Sequence, residues 1–212
     1  ITSSILKCHI KSYCGETELD FNFNCEVCNT LETDIKELFN IEGFDAIIGN
    51  PPYNSPGKKA TGNTIWQLFT IKAIDDWLID EGYLAYVHPP GWRKPNTERG
   101  KFNGMYKKMA IDNQMIYIEM HNTKDGMKVF KKGTRYDFYL LQKKERTQDT
   151  EVKDIENNVY NLELSKFKYL PNSNIDLFTE ITNSSDKLKI LCDFNYSRLD
   201  KKIVSNKETD EY

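Results

Sequence analysis

Short apolar runs separated by longer amphipathic segments make up the hydrophobic pattern of this chain. Runs with the length and composition of β-strands occur at 21–27, 45–49, 83–87 and 114–120. Helical spacing occurs at 64–80 and 99–111, and residues 3–10 resemble the end of a further helix. The segment 64–80 has an apolar face, and Trp66 and Trp77 are therefore predicted to lie in the core. Strands that alternate with helices in this way predict an α/β fold.

The pattern weakens from about residue 145. Short apolar islands then stand in a background rich in Asn, Asp, Lys and Ser, at 159–164, 167–170, 175–178 and 188–191. With 212 residues and 39% apolar content, the chain can form one substantial core and a smaller appendage. It has no apolar stretch of about 18 residues and no leader, so we expect a soluble cytoplasmic protein with no membrane partner. Because the first residue is Ile rather than Met, we also expect a piece of a longer chain.

The apolar run at 45–49 predicts a short buried parallel strand, and a distinctive tetrapeptide follows it directly. This tetrapeptide is Asn50-Pro51-Pro52-Tyr53. Two prolines fix the backbone and remove two N–H donors, which leaves nearby carbonyls free to accept hydrogen bonds. Ligand sites of open α/β sheets lie at the carboxyl ends of strands, where this tetrapeptide falls. An amide oxygen, a free carbonyl and a tyrosine ring suit a planar base with an exocyclic amino group, although a Pro-rich turn is the alternative.

Positive charge is concentrated in the middle of the chain. The net charge is −3, yet residues 51–146 hold seventeen Lys and Arg against ten Asp and Glu. A basic surface around a candidate site is what binding to phosphates requires. The candidate contacts to a DNA backbone are Lys58, Lys59, Arg93, Lys94 and Arg99. The alternative is that these are ordinary solvated side chains.

The cysteines allow two interpretations. Four of the five, Cys8, Cys14, Cys25 and Cys28, supply enough thiolates for a structural zinc. Cys25 and Cys28, however, fall at the end of the predicted strand 21–27, where they would point to opposite faces. We therefore favour small buried residues in a reducing compartment and assign no metal site.

Three segments together resemble a known family. The tetrapeptide 50–53 with its strand is similar to the amino-methylating DNA methyltransferases, in the N6-adenine branch that carries Asn-Pro-Pro-Tyr. Residues 82–93 and 128–141 resemble the corresponding segments of phage-type and restriction-associated adenine methyltransferases. The resemblance implies a Rossmann-like class I methyltransferase sheet, S-adenosylmethionine as cofactor and double-stranded DNA as partner. It also implies an intracellular protein of a bacterium, phage or virus.

The resemblance implies roles for particular residues. The catalytic set would be Asn50, Pro51, Pro52 and Tyr53. Phe130 would stack on the extruded base opposite Tyr53, although it could instead be a core residue that caps the sheet. Asn29 and Leu31 would contact the cofactor together with Asn50, although Asn29 could instead cap a helix that begins near Thr33.

The second matching segment places His88 and Trp92 at the rim of the same cleft. A lone histidine without an obvious carboxylate partner is more often structural than catalytic. We therefore predict a structural role for His88.

One departure from the family concerns the cofactor. The glycine-rich loop and the acidic residue that hold S-adenosylmethionine should precede Asn29, and neither is present. We therefore predict that residues 1–144 are the C-terminal portion of the catalytic domain and that 145–212 begin a target-recognition or linker region. A restriction endonuclease or specificity subunit is an expected partner. The alternatives are a protein-glutamine or RNA methyltransferase, or a non-catalytic DNA-binding subunit of a restriction or defence system.

Overall fold

A mixed β-sheet organises the part of the chain that the computed structural model describes, residues 24–55, 63–94 and 100–183. Its strands are β1 Phe44–Gly49, β2 Leu78–His88, β3 Gln114–His121, β4 Tyr136–Gln142, β5 Thr150–Lys153 and β6 Val159–Leu162. The α-helices are α1 Ile35–Phe39, α2 Trp66–Lys72, α3 Met105–Ala110, α4 Thr123–Phe130 and α5 Ile175–Asn183. The segments predicted at 3–10 and 188–191 lie outside the described residues.

The strand order of the sheet is β1-β2-β4-β3-β5-β6. β1 and β2 are parallel and are joined by a crossover that contains α2. β4 returns antiparallel between β2 and β3, and β5 lies parallel to β3. A parallel pair with a helical crossover is the basic unit of α/β folds. The predicted Rossmann-like α/β sheet is therefore confirmed.

The predicted strand 45–49 exists as β1, but the prediction that it is buried was wrong. Within the described residues β1 pairs only with β2 and so forms an edge of the sheet. Ile48 is 84% exposed, and Asp45 and Ala46 are exposed as well. The apolar run specifies a strand, whereas its burial depends on which elements cover it.

The helix predicted at 64–80 is shorter than expected. α2 gives way to a π-helix at Ala73–Trp77, and the chain becomes extended at Leu78. Leu78 already pairs with Phe44 in the parallel ladder, so strand pairing ends the helix. Gly82 therefore lies inside β2 and does not end a helix. Trp66 and Trp77 are buried, as predicted.

The basic helix predicted at 99–111 is also shorter than expected, and only α3 is helical among its described residues. It begins after Gly104, whose φ of +73° is a left-handed conformation that glycine adopts without strain. Met105 and Met109 of α3 are buried. The strand predicted at 114–120 is confirmed as β3.

Beyond residue 145 the chain continues the same sheet. β5, which the sequence did not predict, is anchored by the Thr150 hydroxyl, which donates to the Met115 carbonyl at 2.7 Å. β6 falls within the apolar island at 159–164, for which the sequence analysis assigned no secondary structure. The chain divides into two compact units between Ile175 and Asp176. Of the second unit only Asp176–Asn183 is described, and it is helical.

The segment around Cys25 and Cys28 corrects another expectation. Residues 24–28 contain no strand, and both thiols are free and exposed. The prediction of a strand over these positions and of buried cysteines was therefore wrong, while Cys8, Cys14 and Cys192 lie outside the described residues. None of the helices in the described part of the chain is both long and apolar enough to cross a membrane.

Candidate active site

The tetrapeptide 50–53 begins where β1 ends. Asn50 is exposed, Pro51 is buried and Tyr53 is half-buried. No described residue hydrogen-bonds the Asn50 side chain or donates to the Pro51 carbonyl. Both oxygen atoms can therefore accept hydrogen bonds from a ligand.

Two backbone hydrogen bonds join the residues on either side of the segment 56–62. The Ile65 amide donates to the Tyr53 carbonyl at 3.1 Å, and the Ser55 amide donates to the Asn63 carbonyl at 2.9 Å. These two bonds fix the backbone that carries the Tyr53 ring. Lys58 and Lys59, predicted to contact DNA, fall in residues 56–62, outside the described part of the chain.

Tyr53 and Phe130 lie together at this site, 77 positions apart in the sequence. Their ring centroids are 6.2 Å apart with an interplanar angle of 74°, an edge-to-face contact. Phe130 also meets Tyr136 edge to face at 4.9 Å. In this arrangement the two rings touch each other and leave no gap for a base between them.

The Tyr53 hydroxyl is a buried polar group without a hydrogen-bond partner in the described structure. Burial, with a smaller effect from Tyr136, raises the pKa of Tyr53 to about 12, so the phenol is neutral at physiological pH. An unsatisfied buried hydroxyl costs stability until a ligand or water satisfies it.

Phe130 is positioned by a helix that the sequence analysis missed. It is the last residue of α4, which begins with a capping box in which Asn122 and Asp125 bond each other's backbone. This Asn-x-x-Asp spacing before a helix is a readable signal. At the other end Lys131 adopts a left-handed conformation with φ 56° and terminates α4.

An open groove of about 430 Å³ runs along β1 to Asn50 and Pro51, within the size range of small-molecule sites. Its lining is mainly apolar, and its polar side chains are Thr30, Asn50 and Tyr86. Burial raises the pKa of Tyr86 to about 12. Thr30, which the sequence analysis did not single out, is thus the member of the 29–31 triplet that faces the groove.

Asn29 and Leu31 do not line this groove. The Asn29 carbonyl accepts from the amides of Glu32 and Thr33, each at 2.9 Å, and so forms a turn. The following helix α1 is capped by Asp34, whose side chain accepts from the Lys36 amide at 3.0 Å. The alternative that Asn29 caps this helix was therefore wrong.

His88 is fully buried at the end of β2. Its Nδ1 lies 3.0 Å from the Pro89 carbonyl, which can only accept, so this nitrogen carries the proton. Nε2 then accepts from the Tyr139 hydroxyl at 3.0 Å, and the ring stacks on Trp66 at 4.0 Å. The structural role predicted for His88 is confirmed. Its expected place at the rim of a cleft, with Trp92, was wrong because both side chains are buried.

His88 makes stability dependent on pH. Burial lowers the pKa of His88 to about 4, whereas an unfolded histidine titrates near its ordinary value of 6.5. As the pH falls below 6.5, His88 becomes protonated in the unfolded chain but stays neutral in the folded protein. Stability is therefore lost between pH 6.5 and 4. We expect the free energy of unfolding to fall by about 2 kcal/mol from pH 7 to pH 5.

Urea unfolding at these two pH values measures that fall. His88→Gln removes the titrating group, so its free energy of unfolding should change with pH by less than half as much. An equal fall in both proteins would show that another group is responsible.

The prediction that Arg93 contacts the DNA backbone was wrong. Its side chain is buried, and Nε and Nη2 form a two-point ion pair with Asp137 at 2.7 and 2.8 Å. The remaining donors reach the carbonyls of Leu170 and Pro171 and the side chain of Asn172. All five guanidinium donors are thus engaged, and none is left for a phosphate.

Asp137 also accepts from the Trp92 indole at 3.2 Å, which ties the turn after β2 to β4. Of the other predicted backbone contacts, Lys94 is exposed and Arg99 lies outside the described residues.

Comparison with known proteins places these features in a family context. A model of the Eco57I restriction-modification methylase family matches residues 6–130. A Mycoplasma pneumoniae protein described as an uncharacterized adenine-specific methylase is 43% identical over 65 residues, which are 29% of this chain and 15% of that protein.

Two solved structures are similar to the chain over part of their length. The M protein of the type I restriction enzyme EcoKI matches over 71% of this chain and 32% of its own, with 18% identity and a TM-score of 0.49. A type I restriction-modification methyltransferase subunit from Streptococcus thermophilus matches over 86% and 40%, with 19% identity and a TM-score of 0.48. The chain spans less than half the length of each of these three relatives.

Proposed function

The chain belongs to the Eco57I restriction-modification methylase family, and from this premise we propose that it forms the target-base side of a DNA adenine-N6 methyltransferase site. The observation that carries the proposal is the end of β1. There an exposed amide oxygen at Asn50 and an unengaged carbonyl at Pro51 precede the half-buried ring of Tyr53. These groups match the two amino hydrogens and the flat face of adenine.

Asn50 and Pro51 act on the amino nitrogen of the target base. That nitrogen is a poor nucleophile because its lone pair is delocalised into the purine ring. When the Asn50 Oδ1 and the Pro51 carbonyl each accept one amino hydrogen, they favour a geometry in which the lone pair turns out of the ring plane. They also stabilise the positive charge that develops on nitrogen during transfer. Pro51 and Pro52 keep the two oxygen atoms in place because their ring-locked φ angles resist rotation.

Tyr53 and Phe130 hold the extruded base. A base between two parallel rings needs about 7 Å between the ring planes, since each carbon contact is about 3.5 Å. The edge-to-face contact, with ring centroids 6.2 Å apart, is therefore a closed arrangement, and Phe130 moves apart from Tyr53 to admit the base between the two rings. Stacking on Tyr53 then repays part of the cost of extrusion.

The described residues fit S-adenosylmethionine only in part. The groove along β1 carries no charged side chain, whereas the cofactor has an ammonium, a carboxylate and ribose hydroxyls that need polar partners. The groove therefore suits the adenine ring or the methylthio carbons of the cofactor. When bound, S-adenosylmethionine supplies an electrophilic methyl group. Asn29 and Leu31 do not line the groove, and we propose that they contact a part of the cofactor that extends beyond it.

The organisation around the site is also part of the proposal. Residues 1–144 form the later portion of the catalytic domain, and 145–212 begin a target-recognition or linker region whose first strands, β5 and β6, extend the sheet of the catalytic portion. Double-stranded DNA is the partner, joined by a restriction endonuclease or a specificity subunit.

The proposal is tested by supplying methyl-tritiated S-adenosylmethionine to the full-length protein with duplex DNA, RNA or a release factor. We expect label in duplex DNA, recovered as N6-methyladenine. Label only in RNA or in glutamine of the release factor would favour the other methyltransferases. Absence of label from all three, with DNA binding intact, would favour a non-catalytic subunit.

A further inference from the structure

Five cations lie on α4 and on the link to β4, before and after Phe130 in the sequence, and we propose that they bind the phosphates of the DNA strand beside the extruded adenine. This inference rests on the function proposed above and identifies the surface on which the DNA lies. We call these side chains the α4 cation cluster: Lys124, Lys128, Lys131, Lys132 and Arg135.

The cluster carries positive charge that no acid among the described residues neutralises. All five side chains are exposed. Residues 122–135 contain a single acid, Asp125, and its carboxylate accepts the Asn122 amide at 3.2 Å in the capping box. No ion pair joins any of the five cations to an acid in the described part of the chain. Unpaired surface charge of one sign is the electrostatic signature of a phosphate-binding surface.

The basic helix α3 provides a contrast. Lys107 forms an ion pair with Asp112, and Lys108 forms one with Asp75 at 2.6 Å. Their charges are therefore compensated by neighbouring acids, although the sequence shows a similar density of lysines. Arg93 is compensated in the same way by Asp137. Uncompensated charge thus distinguishes the α4 cation cluster from these other basic segments.

The cluster is adjacent to the proposed base site. Lys128 lies two residues before Phe130 in the sequence, and Lys131 directly follows it. The Phe130 ring contacts the Tyr53 ring edge to face, with the ring centroids 6.2 Å apart. A base that reaches Tyr53 is covalently attached to the backbone that these cations would contact. Lys124 and Lys128 are four residues apart and therefore share one face of α4.

Close backbone packing fixes the cluster in place. A Cβ at Gly126 would lie 2.0 Å from the Thr134 carbonyl oxygen, so only glycine lets the link 131–134 pack against α4. Lys131 Nζ additionally donates to the Lys128 carbonyl at 3.3 Å. Lys132 and Arg135 are thus presented from a defined scaffold beside Phe130, which is what precise positioning of a substrate strand requires.

The number of phosphate contacts can be measured from salt dependence. Each neutralised phosphate lowers the slope of log K against log salt by about 0.9 for duplex DNA. Replacing three of the lysines by glutamine should therefore reduce the magnitude of this slope by about 2 to 3. Because these cations act on the bound DNA strand, the variant should need a higher DNA concentration than the wild type to reach half of its maximal rate.

The experiment compares K124Q/K128Q/K132Q with K107Q/K166Q/K168Q in the full-length protein. The control removes the same charge from exposed lysines outside the cluster. The DNA is a fluorescently labelled duplex that the wild-type protein methylates in the assay described above. Its binding is measured by fluorescence anisotropy at NaCl concentrations from 50 to 300 mM. For the cluster variant we expect a smaller slope of log K against log salt and an affinity at least tenfold lower at 0.1 M salt. The control should show the slope and the affinity of the wild type. K128Q alone should reduce the magnitude of the slope by about one third of the reduction seen in the triple variant.

Unchanged slopes in both cluster variants, with the wild type still methylating DNA, would overturn the inference and leave the proposed function standing. An equal loss in the control would also overturn it, because the effect would then follow net charge alone. If the wild type neither binds nor methylates DNA, the proposed function fails and the inference fails with it.

Discussion

Replacing Asn50 by Ala is expected to lower the rate of methyl transfer at saturating DNA by about 10²–10³-fold, the usual effect of removing one group that stabilises developing charge. The Asn50 side chain is exposed and makes no hydrogen bond to a described residue, so its loss should hardly change folding. The effect should appear in kcat, because the acceptor acts most strongly as nitrogen becomes positive. Initial rates with tritiated cofactor measure it.

Two further substitutions separate the acceptor from the shape of the side chain. Asn50→Asp keeps an oxygen acceptor and should retain more activity than Asn50→Ala. Asn50→Leu keeps the approximate volume without an acceptor and should be as inactive as Asn50→Ala. Asn161→Ala removes an exposed amide on β6 and serves as the matched control. Wild-type rates in Asn50→Leu would contradict the acceptor role.

Replacing Asp137 by Ala is expected to lower the free energy of unfolding by about 3–5 kcal/mol, because it leaves a buried guanidinium without its counter-charge. The Trp92 indole would also lose its acceptor. For a domain of this size the expected fall in Tm is about 10 °C. Thermal unfolding followed by circular dichroism measures the change.

The exposed pair of Lys107 and Asp112 provides a control for this prediction. Asp112→Ala breaks an ion pair that is open to solvent and should cost less than about 1 kcal/mol. The double variant Arg93→Met with Asp137→Leu removes both charges and should be less destabilised than Asp137→Ala. A Tm for Asp137→Ala within 2 °C of the wild type would show that the buried ion pair contributes little.

The sequence was sufficient to locate the end of β1, because an apolar run followed by two prolines has few other interpretations. It could not show that β1 is an edge strand within the described residues. Ile48 reads as a core residue in the sequence and is exposed because nothing described covers it. The burial of a strand depends on which elements pack against it, and the sequence of the strand itself does not specify those elements.

The boundaries of helices depended on contacts between distant residues. Residues 64–80 have helical spacing throughout, yet Leu78 pairs with Phe44 and leaves the helix. Arg93 shows the same limit for charge. Its partner Asp137 is 44 positions away, so charge density alone could not separate a buried ion pair from a DNA contact. The α4 helix was different, since its capping box was present in the sequence and could have revealed it.

The most direct test of the central claim is a crystal structure of the full-length protein with duplex DNA and an unreactive cofactor analogue. We expect an extruded adenine whose amino nitrogen lies within about 3.2 Å of both the Asn50 Oδ1 and the Pro51 carbonyl oxygen, a normal hydrogen-bond distance. The Tyr53 ring should stack on one face of the base, and Phe130, moved from its present contact with Tyr53, should stack on the other face. An adenine still paired in the duplex, or one bound with Asn50 out of hydrogen-bond reach, would contradict the claim.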